Sequence, residues 1–322
     1  MRDKFAEVLN NLALEHEDIV VLAADISPVG RINEFVENYP HRFLNVGVAE
    51  QSMIGISAGL AMGGYRPFCY TIATFSILRP FEFVRNDLGY QDLPVVVVGM
   101  GAGLSYPTLG FTHHAQEDIA ICSTIPNLEI WTPCDPNSVE HALKEIIKLR
   151  QHPVYLRLGK AGEPNLDFAT DFDPKLGFGR LLRNESYKCD VFFLTYGTIT
   201  SNVIEAANTL NDLGISSQVL SLLQIDPETF HEISNLIPRN ALVVVVEEHI
   251  APGGLASQFS LHLMKSGISH KFLHFSLPTL PSHLYGSQNW LLDQLGLSSS
   301  AISNRIRRTF DQKYTDLDSN KY

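Results

Sequence analysis

One carboxylate stands in an otherwise uncharged stretch between Arg42 and Arg66. That residue is Glu50, in the run RFLNVGVAEQSMIGISAGLAMGGYR. A glutamate is common in the first turn of a helix, because it complements the helix dipole. A carboxylate among apolar neighbours also tends to keep or share a proton, which suits a hydrogen bond to a weakly basic ring nitrogen. Glu50 is therefore a candidate either for a helix-start residue or for a proton-exchanging group.

Four further residues could take part in chemistry. Asp25 ends a predicted strand, and the carboxyl ends of parallel strands face the ligand crevice, although a turn role is equally compatible. Phe75 follows another strand and could stack on a planar ring, although most such aromatics belong to the core. His113 and His114 lie in the long loop 101–118 and could carry protons or simply sit at the surface.

The elements that must position these residues follow an α/β pattern. Continuous apolar runs rich in β-branched residues indicate a parallel sheet covered on both faces. The predicted strands of the first unit are 18–25, 42–47, 66–72, 94–100, 128–133 and 153–159. The predicted helices between them are 3–15, 50–62, 78–90, 116–123 and 136–150.

A segment rich in Gly, Pro and Asp separates this unit from a second one. We expect two domains, residues 1–160 and a smaller α/β domain at 181–322, joined by a linker at 161–180. The predicted strands of the second domain are 190–196, 217–222, 241–247 and 271–276. Its predicted helices are 199–213, 226–236, 254–265 and 297–311.

The overall composition excludes several classes of function. A net charge of -11 argues against binding nucleic acid, which needs clustered Lys and Arg. No apolar run approaches the roughly 18 residues of a membrane span, and the charged N-terminus does not resemble a signal peptide. Four cysteines without metal-type spacing predict a reduced, cytoplasmic protein with no metal site of its own.

Several ordered motifs together resemble the carboxyl-terminal half of transketolase. These are the run around Glu50, the segment TFSILRPFEFVRND, the loop GFTHHAQEDIA, and the later segments DVFFLTYGTITSNVIEAANTLNDLGISSQVLSLLQIDP and VEEHIAPGGLASQ. The resemblance implies a parallel-sheet domain that binds the pyrimidine of thiamine diphosphate, followed by the smaller transketolase C-terminal domain. It also implies a transferase that moves a two-carbon ketol unit from a ketose donor to an aldose acceptor.

The resemblance also assigns roles to particular residues. Glu50 would contact N1′ of the aminopyrimidine and promote the tautomer that deprotonates the thiazolium carbon, while Phe75 would stack on the pyrimidine. Asp25 would sit near the thiazolium, and His113 near the substrate oxygen. The further candidates for substrate contacts are His114, Arg157 and Lys160.

Departures from the family pattern matter as much. Transketolases anchor the diphosphate through Mg²⁺ with a Gly-Asp-Gly motif, which this sequence lacks. We therefore expect a partner subunit that carries this motif and the metal, with this chain forming a homodimer inside a heterotetramer. Leu109 and Gly101 replace an Asp and a His that transketolases typically carry, so ordinary sugar-phosphate specificity is not expected.

Other functions remain compatible with the same motifs. The chain could be the beta subunit of a 2-oxoacid dehydrogenase decarboxylating component, which hands an acyl group to a lipoyl domain. It could also resemble deoxyxylulose-phosphate synthase, or be a non-catalytic partner with a decayed site. The joint retention of Glu50, Phe75 and His113 argues against decay, and the segments THHAQED and PVYLRLGK look more like transketolase.

Overall fold

A six-stranded parallel sheet organises the first half of the chain. The computed structural model describes residues 1–26, 32–149, 151–182, 188–279 and 283–319. The strand order is β2-β1-β3-β4-β6-β5, and every neighbouring pair is parallel. The strands are β1 Ile19–Ala23, β2 Phe43–Asn45, β3 Arg66–Ile72, β4 Val96–Met100, β5 Glu129–Trp131 and β6 Val154–Leu158. All six coincide with predicted strands, because buried parallel strands are apolar along their whole length.

Helices cover both faces of this sheet. They are α1 Arg2–Glu15, α2 Asn33–Asn38, α3 Glu50–Met62, α4 Ala73–Ile77, α5 Phe81–Phe83, α6 Asp118–Cys122 and α7 Pro136–Leu149. Helices α1 and α7 pack together, whereas α3 packs on β3. Helix α3 buries Met53, Ile54 and Ala58 and ends where Gly63 and Gly64 turn the chain into β3.

The predicted helix 78–90 is broken in the structure. A turn containing Pro80 separates α4 from α5. Proline has no backbone N–H, so it cannot donate the hydrogen bond that would continue the helix through this position. A π-helical segment, Val84–Tyr90, then follows α5. Such segments are rare and often lie at functional sites. The break places residues 78–80 next to the start of α3, where Glu50 lies.

A smaller mixed sheet forms the second half. Its strand order is β11-β10-β8-β9-β7, with β7 antiparallel to β9 and the other neighbours parallel. The strands are β7 Arg180–Leu182, β8 Val191–Tyr196, β9 Ser217–Leu222, β10 Leu242–Ile250 and β11 Lys271–Leu277. The helices are α8 Thr200–Asp212, α9 Phe230–Leu236, α10 Leu255–Lys265, α11 Gln288–Gln294 and α12 Ser299–Ser319.

Strand β7 was not predicted from the sequence. It has three residues, lies at the sheet edge, and begins at Arg180, the last residue of the predicted linker. Gly177 and Gly179 just before it made the segment resemble a loop. The two-domain α/β fold with a parallel first sheet is otherwise confirmed.

The two domains share part of their hydrophobic core. One cluster of buried side chains includes Cys122 and Tyr155 from the first domain and Tyr196 and Phe259 from the second. The two domains therefore pack against each other through apolar side chains. Over the described residues, none of the helices combines the length and apolar character needed to cross a bilayer.

Candidate active site

Glu50 is the buried charge of the site. It is the first residue of α3, and only 2 % of its surface is exposed. Its Oε1 accepts a 2.7 Å hydrogen bond from Nη1 of Arg79, which lies in the turn between α4 and α5. A buried carboxylate requires such a partner, because removing an unpaired charge from water is costly. The sequence predicted a helix start at Glu50, and the structure adds the ion pair.

Arg79 also connects Glu50 to Phe75. The Cζ atom of Arg79 lies 4.0 Å from the centroid of the Phe75 ring, within the range of a cation–π contact. The rings of His113 and Phe75 meet edge to face, at a centroid distance of 5.2 Å and an interplanar angle of 69°. Three residues predicted from separate motifs, Glu50, Phe75 and His113, are therefore brought together around Arg79.

His113 presents a neutral imidazole to this cluster. Burial and, secondarily, the charge of Arg79 lower the pKa of His113 below its ordinary value. Its Nδ1 shares a 2.9 Å hydrogen bond with the hydroxyl of Thr112. A neutral histidine can accept a proton from a nearby hydroxyl or hydrogen-bond a carbonyl oxygen, which suits a proton carrier.

Lys160 lies at the edge of the same loop. Its Nζ is 4.8 Å from the centroid of the Tyr106 ring, and that ring is 6.2 Å from the ring of His113. Lys160 is half-buried and contacts the Tyr106 ring rather than His113 itself. The anion contact by Lys160 stays a prediction.

His114 points into the protein rather than into solvent. It is 2 % exposed, and neither ring nitrogen has a hydrogen-bond partner among the described residues. Burial lowers the pKa of His114, so the ring is held neutral beneath the loop. The adjacent histidines thus differ in environment, and His113 is the one beside Phe75.

Asp25 lies at the carboxyl edge of the first sheet. It follows β1 in a left-handed backbone conformation with φ of 43°, and its side chain is exposed. Its backbone N–H donates to Oδ1 of Asn45 at 3.2 Å. Phe75, just after β3, is at the same edge, because β1 and β3 are parallel neighbours. The structure therefore places Asp25 and Phe75 at one edge of the sheet, and the role of Asp25 beside a ligand stays a prediction.

Arg157 is not where a substrate-binding residue would be. It is 3 % exposed, and its Nε donates to Oδ2 of Asp118 at 2.8 Å. Its Nη2 donates to the carbonyl oxygens of Ala115 and Glu248 at 3.3 and 3.1 Å. The expected contact of Arg157 with a substrate anion is therefore corrected to a structural role at the junction of the two domains.

The base of the His113 loop is held by the second domain. Gly103 and Ala115 pair as an antiparallel bridge that closes the loop. Glu248, on β10, accepts a 2.6 Å hydrogen bond from the backbone N–H of Leu104. A side chain at Gly103 would collide with Glu248, so glycine permits this close approach. The second domain therefore fixes the position of the loop that carries His113.

Sequence reasoning missed Arg79 and Glu248. Arg79 lies four residues after Phe75 in the segment already singled out, so its proximity could have been suspected. Glu248 is 144 residues from its partner Leu104, and no local pattern signals such a contact. Over the residues that the structure describes, no group of three or more His, Cys, Asp or Glu side chains is arranged to hold a metal.

The Arg79 contacts outline the shape and polarity of this site. A guanidinium is planar and carries nitrogen donors at its edge. Here its Cζ atom lies 4.0 Å from the centroid of the Phe75 ring, and its Nη1 donates to Glu50. An aminopyrimidine is also planar, and its ring nitrogen would accept a hydrogen bond from the protonated form of a carboxyl group, so the residue types and placement of Phe75 and Glu50 fit such a ring.

Two family models of known proteins match this chain. The family model "Transketolase, pyrimidine binding domain" matches residues 1–163, and "Transketolase, C-terminal domain" matches residues 179–302. The chain belongs to the transketolase family. Transketolases use thiamine diphosphate, and their pyrimidine-binding domain is the one that holds Glu50, Phe75 and His113 here. The resemblance inferred from the motifs is thereby confirmed.

Similar proteins include subunits of split transketolases. The chain is 32 % identical over 256 residues to one subunit of the apulose-4-phosphate transketolase of Phocaeicola vulgatus, covering 80 % of this chain and 81 % of the relative. It is 31 % identical over 257 residues to the SqwH subunit of the 6-deoxy-6-sulfo-D-fructose transketolase of a Clostridium species, covering 80 % and 78 %. These relatives confirm the prediction of a transketolase-type subunit.

A solved structure matches over nearly the whole chain. It is described as "Split gene transketolase, inactive beta4 tetramer", with a TM-score of 0.80 and 30 % sequence identity. The alignment covers 95 % of this chain and 96 % of that one. The two-domain architecture of this chain is therefore shared with that protein.

Proposed function

We propose that this transketolase-family chain works with a second subunit to transfer a two-carbon ketol unit from a ketose to an aldose. The partner subunit would carry the Gly-Asp-Gly motif, the Mg²⁺ ion and the diphosphate-binding domain. The observation that carries this proposal is the convergence of Glu50, Phe75 and His113 in a chain that lacks that motif. Two copies of each subunit would form the active heterotetramer.

The residues of this chain would divide the work as follows. Thiamine diphosphate, when bound, supplies the carbon nucleophile that carries the ketol unit. Glu50 would hold and release the proton at N1′ of the aminopyrimidine, and Phe75 would support the flat face of that ring. Asp25 would lie near the thiazolium, and His113 would hydrogen-bond the substrate oxygen and move its proton.

Exposed apolar side chains support an assembly of several subunits. Val48, Ile56 and Met62, in or next to α3, are 69 %, 40 % and 61 % exposed. Tyr90, at the end of the π-helical segment that packs beside α3, is 80 % exposed. Apolar surface of this kind often marks a protein–protein interface. Val48 lies two residues before Glu50, so a subunit that covers Val48 would also lie close to the site.

We also propose that the assembled enzyme works in the cytoplasm. All four cysteines are buried and unpaired, as is usual where thiols are kept reduced.

We expect the isolated chain to bind thiamine diphosphate only weakly, even with Mg²⁺ present. The diphosphate and the metal contribute much of the interaction, and their ligands would come from the partner subunit. Titration calorimetry of the purified chain, alone and after addition of the partner, measures this directly. Submicromolar binding by the chain alone would contradict the split-enzyme proposal, whereas binding that appears only with the partner would support it.

The substrate is expected to differ from that of an ordinary transketolase. Gly101 has a φ of 76°, and a side chain there would collide with the ring of Tyr106, so no histidine fits. Leu109, 49 % exposed, offers no polar group where an aspartate is typical. Lys160, whose Nζ lies 4.8 Å from the centroid of the Tyr106 ring, remains as a cation that could bind an anionic group of the substrate.

A substrate panel with the reconstituted complex tests this expectation. It should include xylulose 5-phosphate with ribose 5-phosphate, apulose 4-phosphate, and 6-deoxy-6-sulfo-D-fructose, the last two suggested by the names of the relatives. We expect kcat/KM to be at least about tenfold higher for an uncommon ketose than for xylulose 5-phosphate, the size of effect that one or two changed contacts produce. Equal or higher efficiency with xylulose 5-phosphate would show that the two replacements do not alter specificity.

A further inference from the structure

We propose that Arg79 occupies the aminopyrimidine position in the free chain and must leave it when the cofactor binds. The inference rests on the proposed function, because it concerns the cofactor site of a split transketolase. Arg79 would then act as an internal stand-in for the cofactor ring.

The contacts of Arg79 use the surfaces that a bound aminopyrimidine would need. Its Nη1 binds Oε1 of Glu50 at 2.7 Å, and its guanidinium lies 4.0 Å above the Phe75 ring. That separation is a stacking distance and leaves no room for a second planar group between them. The cofactor ring and the Arg79 guanidinium therefore exclude each other.

The environment of Arg79 allows the guanidinium to move while the fold remains. Its side chain is 42 % exposed, whereas that of Glu50 is 3 % exposed. Arg79 lies in the turn before Pro80, and its carbonyl oxygen accepts a hydrogen bond from Nε2 of Gln51 at 3.4 Å. The backbone is thus tied to α3, and the flexible stem of the side chain can rotate toward solvent.

A physical advantage of this arrangement concerns the free chain. Glu50 would otherwise be a buried carboxylate without a partner, which is strongly unfavourable. Arg79 neutralises that charge until a cofactor ring can replace it. Displacing Arg79 opposes cofactor binding, so binding becomes favourable only when the partner adds its diphosphate and metal contacts. The residue would therefore make cofactor loading depend on assembly.

The test compares cofactor affinity of Arg79→Met with that of the wild type in the assembled complex. Methionine keeps an unbranched apolar stem and removes the planar charge. We expect calorimetry to show thiamine diphosphate binding about tenfold tighter, since a partly exposed ion pair and a cation–π contact no longer compete. Arg85→Met is the matched control, because Arg85 is exposed and its guanidinium binds neighbouring Asn86. The control should bind like the wild type.

A second variant and a competition experiment test whether the planar guanidinium of Arg79 is what competes with the cofactor. Arg79→Lys keeps the charge but not the plane, so it should tighten binding less than Arg79→Met does. In Arg79→Met, added guanidinium ions should weaken cofactor binding relative to the same concentration of sodium chloride, because they restore the competitor. In Arg85→Met, which retains Arg79, they should have a smaller effect. This comparison needs no measurement of activity.

The outcomes separate the inference from the proposed function. Unchanged or weaker binding by Arg79→Met, in a complex whose wild type binds the cofactor, would overturn the inference and leave the function standing. Failure of the wild-type complex itself to bind thiamine diphosphate would overturn both. Tighter binding by Arg79→Met together with competition by guanidinium would establish Arg79 as the occupant of the site.

Discussion

Glu50→Gln is expected to slow hydrogen–deuterium exchange at C2 of thiamine diphosphate by at least about two orders of magnitude in the assembled complex. Glutamine keeps the size of the side chain, and its amide can still donate a hydrogen bond to the aminopyrimidine. It cannot exchange a proton with N1′ of the aminopyrimidine. The cofactor would lose the proton-transfer partner that C2 deprotonation requires, and turnover should fall with the exchange rate.

The variant should remain folded and assembled. Removing the negative charge of a buried group can be neutral or even stabilising, and Arg79 is exposed enough to be solvated. Glu82→Gln serves as the control, since Glu82 is an exposed carboxylate nearby on α5. Wild-type exchange and turnover in an intact Glu50→Gln complex would reduce Glu50 to a helix-start residue and remove the assignment of this site.

His113→Ala is expected to lower turnover by about 10²–10⁴-fold, the contribution of a positioned proton carrier. The loss of cofactor affinity should be much smaller, because His113 contacts Phe75 only through the ring edge. Steady-state kinetics and calorimetry on the same preparation separate the two effects.

A matched substitution controls for the loss of a histidine as such. His41 is exposed in the short turn Pro40–Arg42, distant in sequence from the loop, and His41→Ala should leave turnover near that of the wild type. If turnover of His113→Ala were also unchanged, the proton carrier would have to be sought elsewhere, and the loop would have only a packing role.

The parts of the structure that the sequence predicted are those with local signals. The strands β4 and β8 are continuous apolar runs, and Glu50, Phe75 and His113 each stand within a motif. Strand β7 escaped prediction because three residues at a sheet edge produce no pattern. These differences reflect the range of the interactions: local periodicity is visible in a sequence, and edge pairing is not.

Arg157 illustrates a signal that was present but misinterpreted. It lies in β6, and a parallel strand covered on both faces buries every side chain, including a charged one. The position of Arg157 within this predicted strand therefore already indicated that its guanidinium would be buried and would need an acidic partner. The identity of that partner, Asp118, could not be found by spacing, because Asp118 lies 39 residues earlier in the chain, at the start of α6. Arg79 was likewise visible in sequence, while its contact with Glu50 arises from packing of the α4–α5 turn against α3.

The hydrogen bond from Leu104 to Glu248 limits how freely the halves of this protein can be recombined. A chimera that joins the first domain of one relative to the second domain of another must keep a carboxylate facing the loop and a glycine at 103. Without both, the foreign domain would displace the loop that presents His113, even with every pyrimidine-site residue retained. The boundary between the domains is thus a poor place to exchange modules, because the loop that carries His113 depends on a side chain of the second domain.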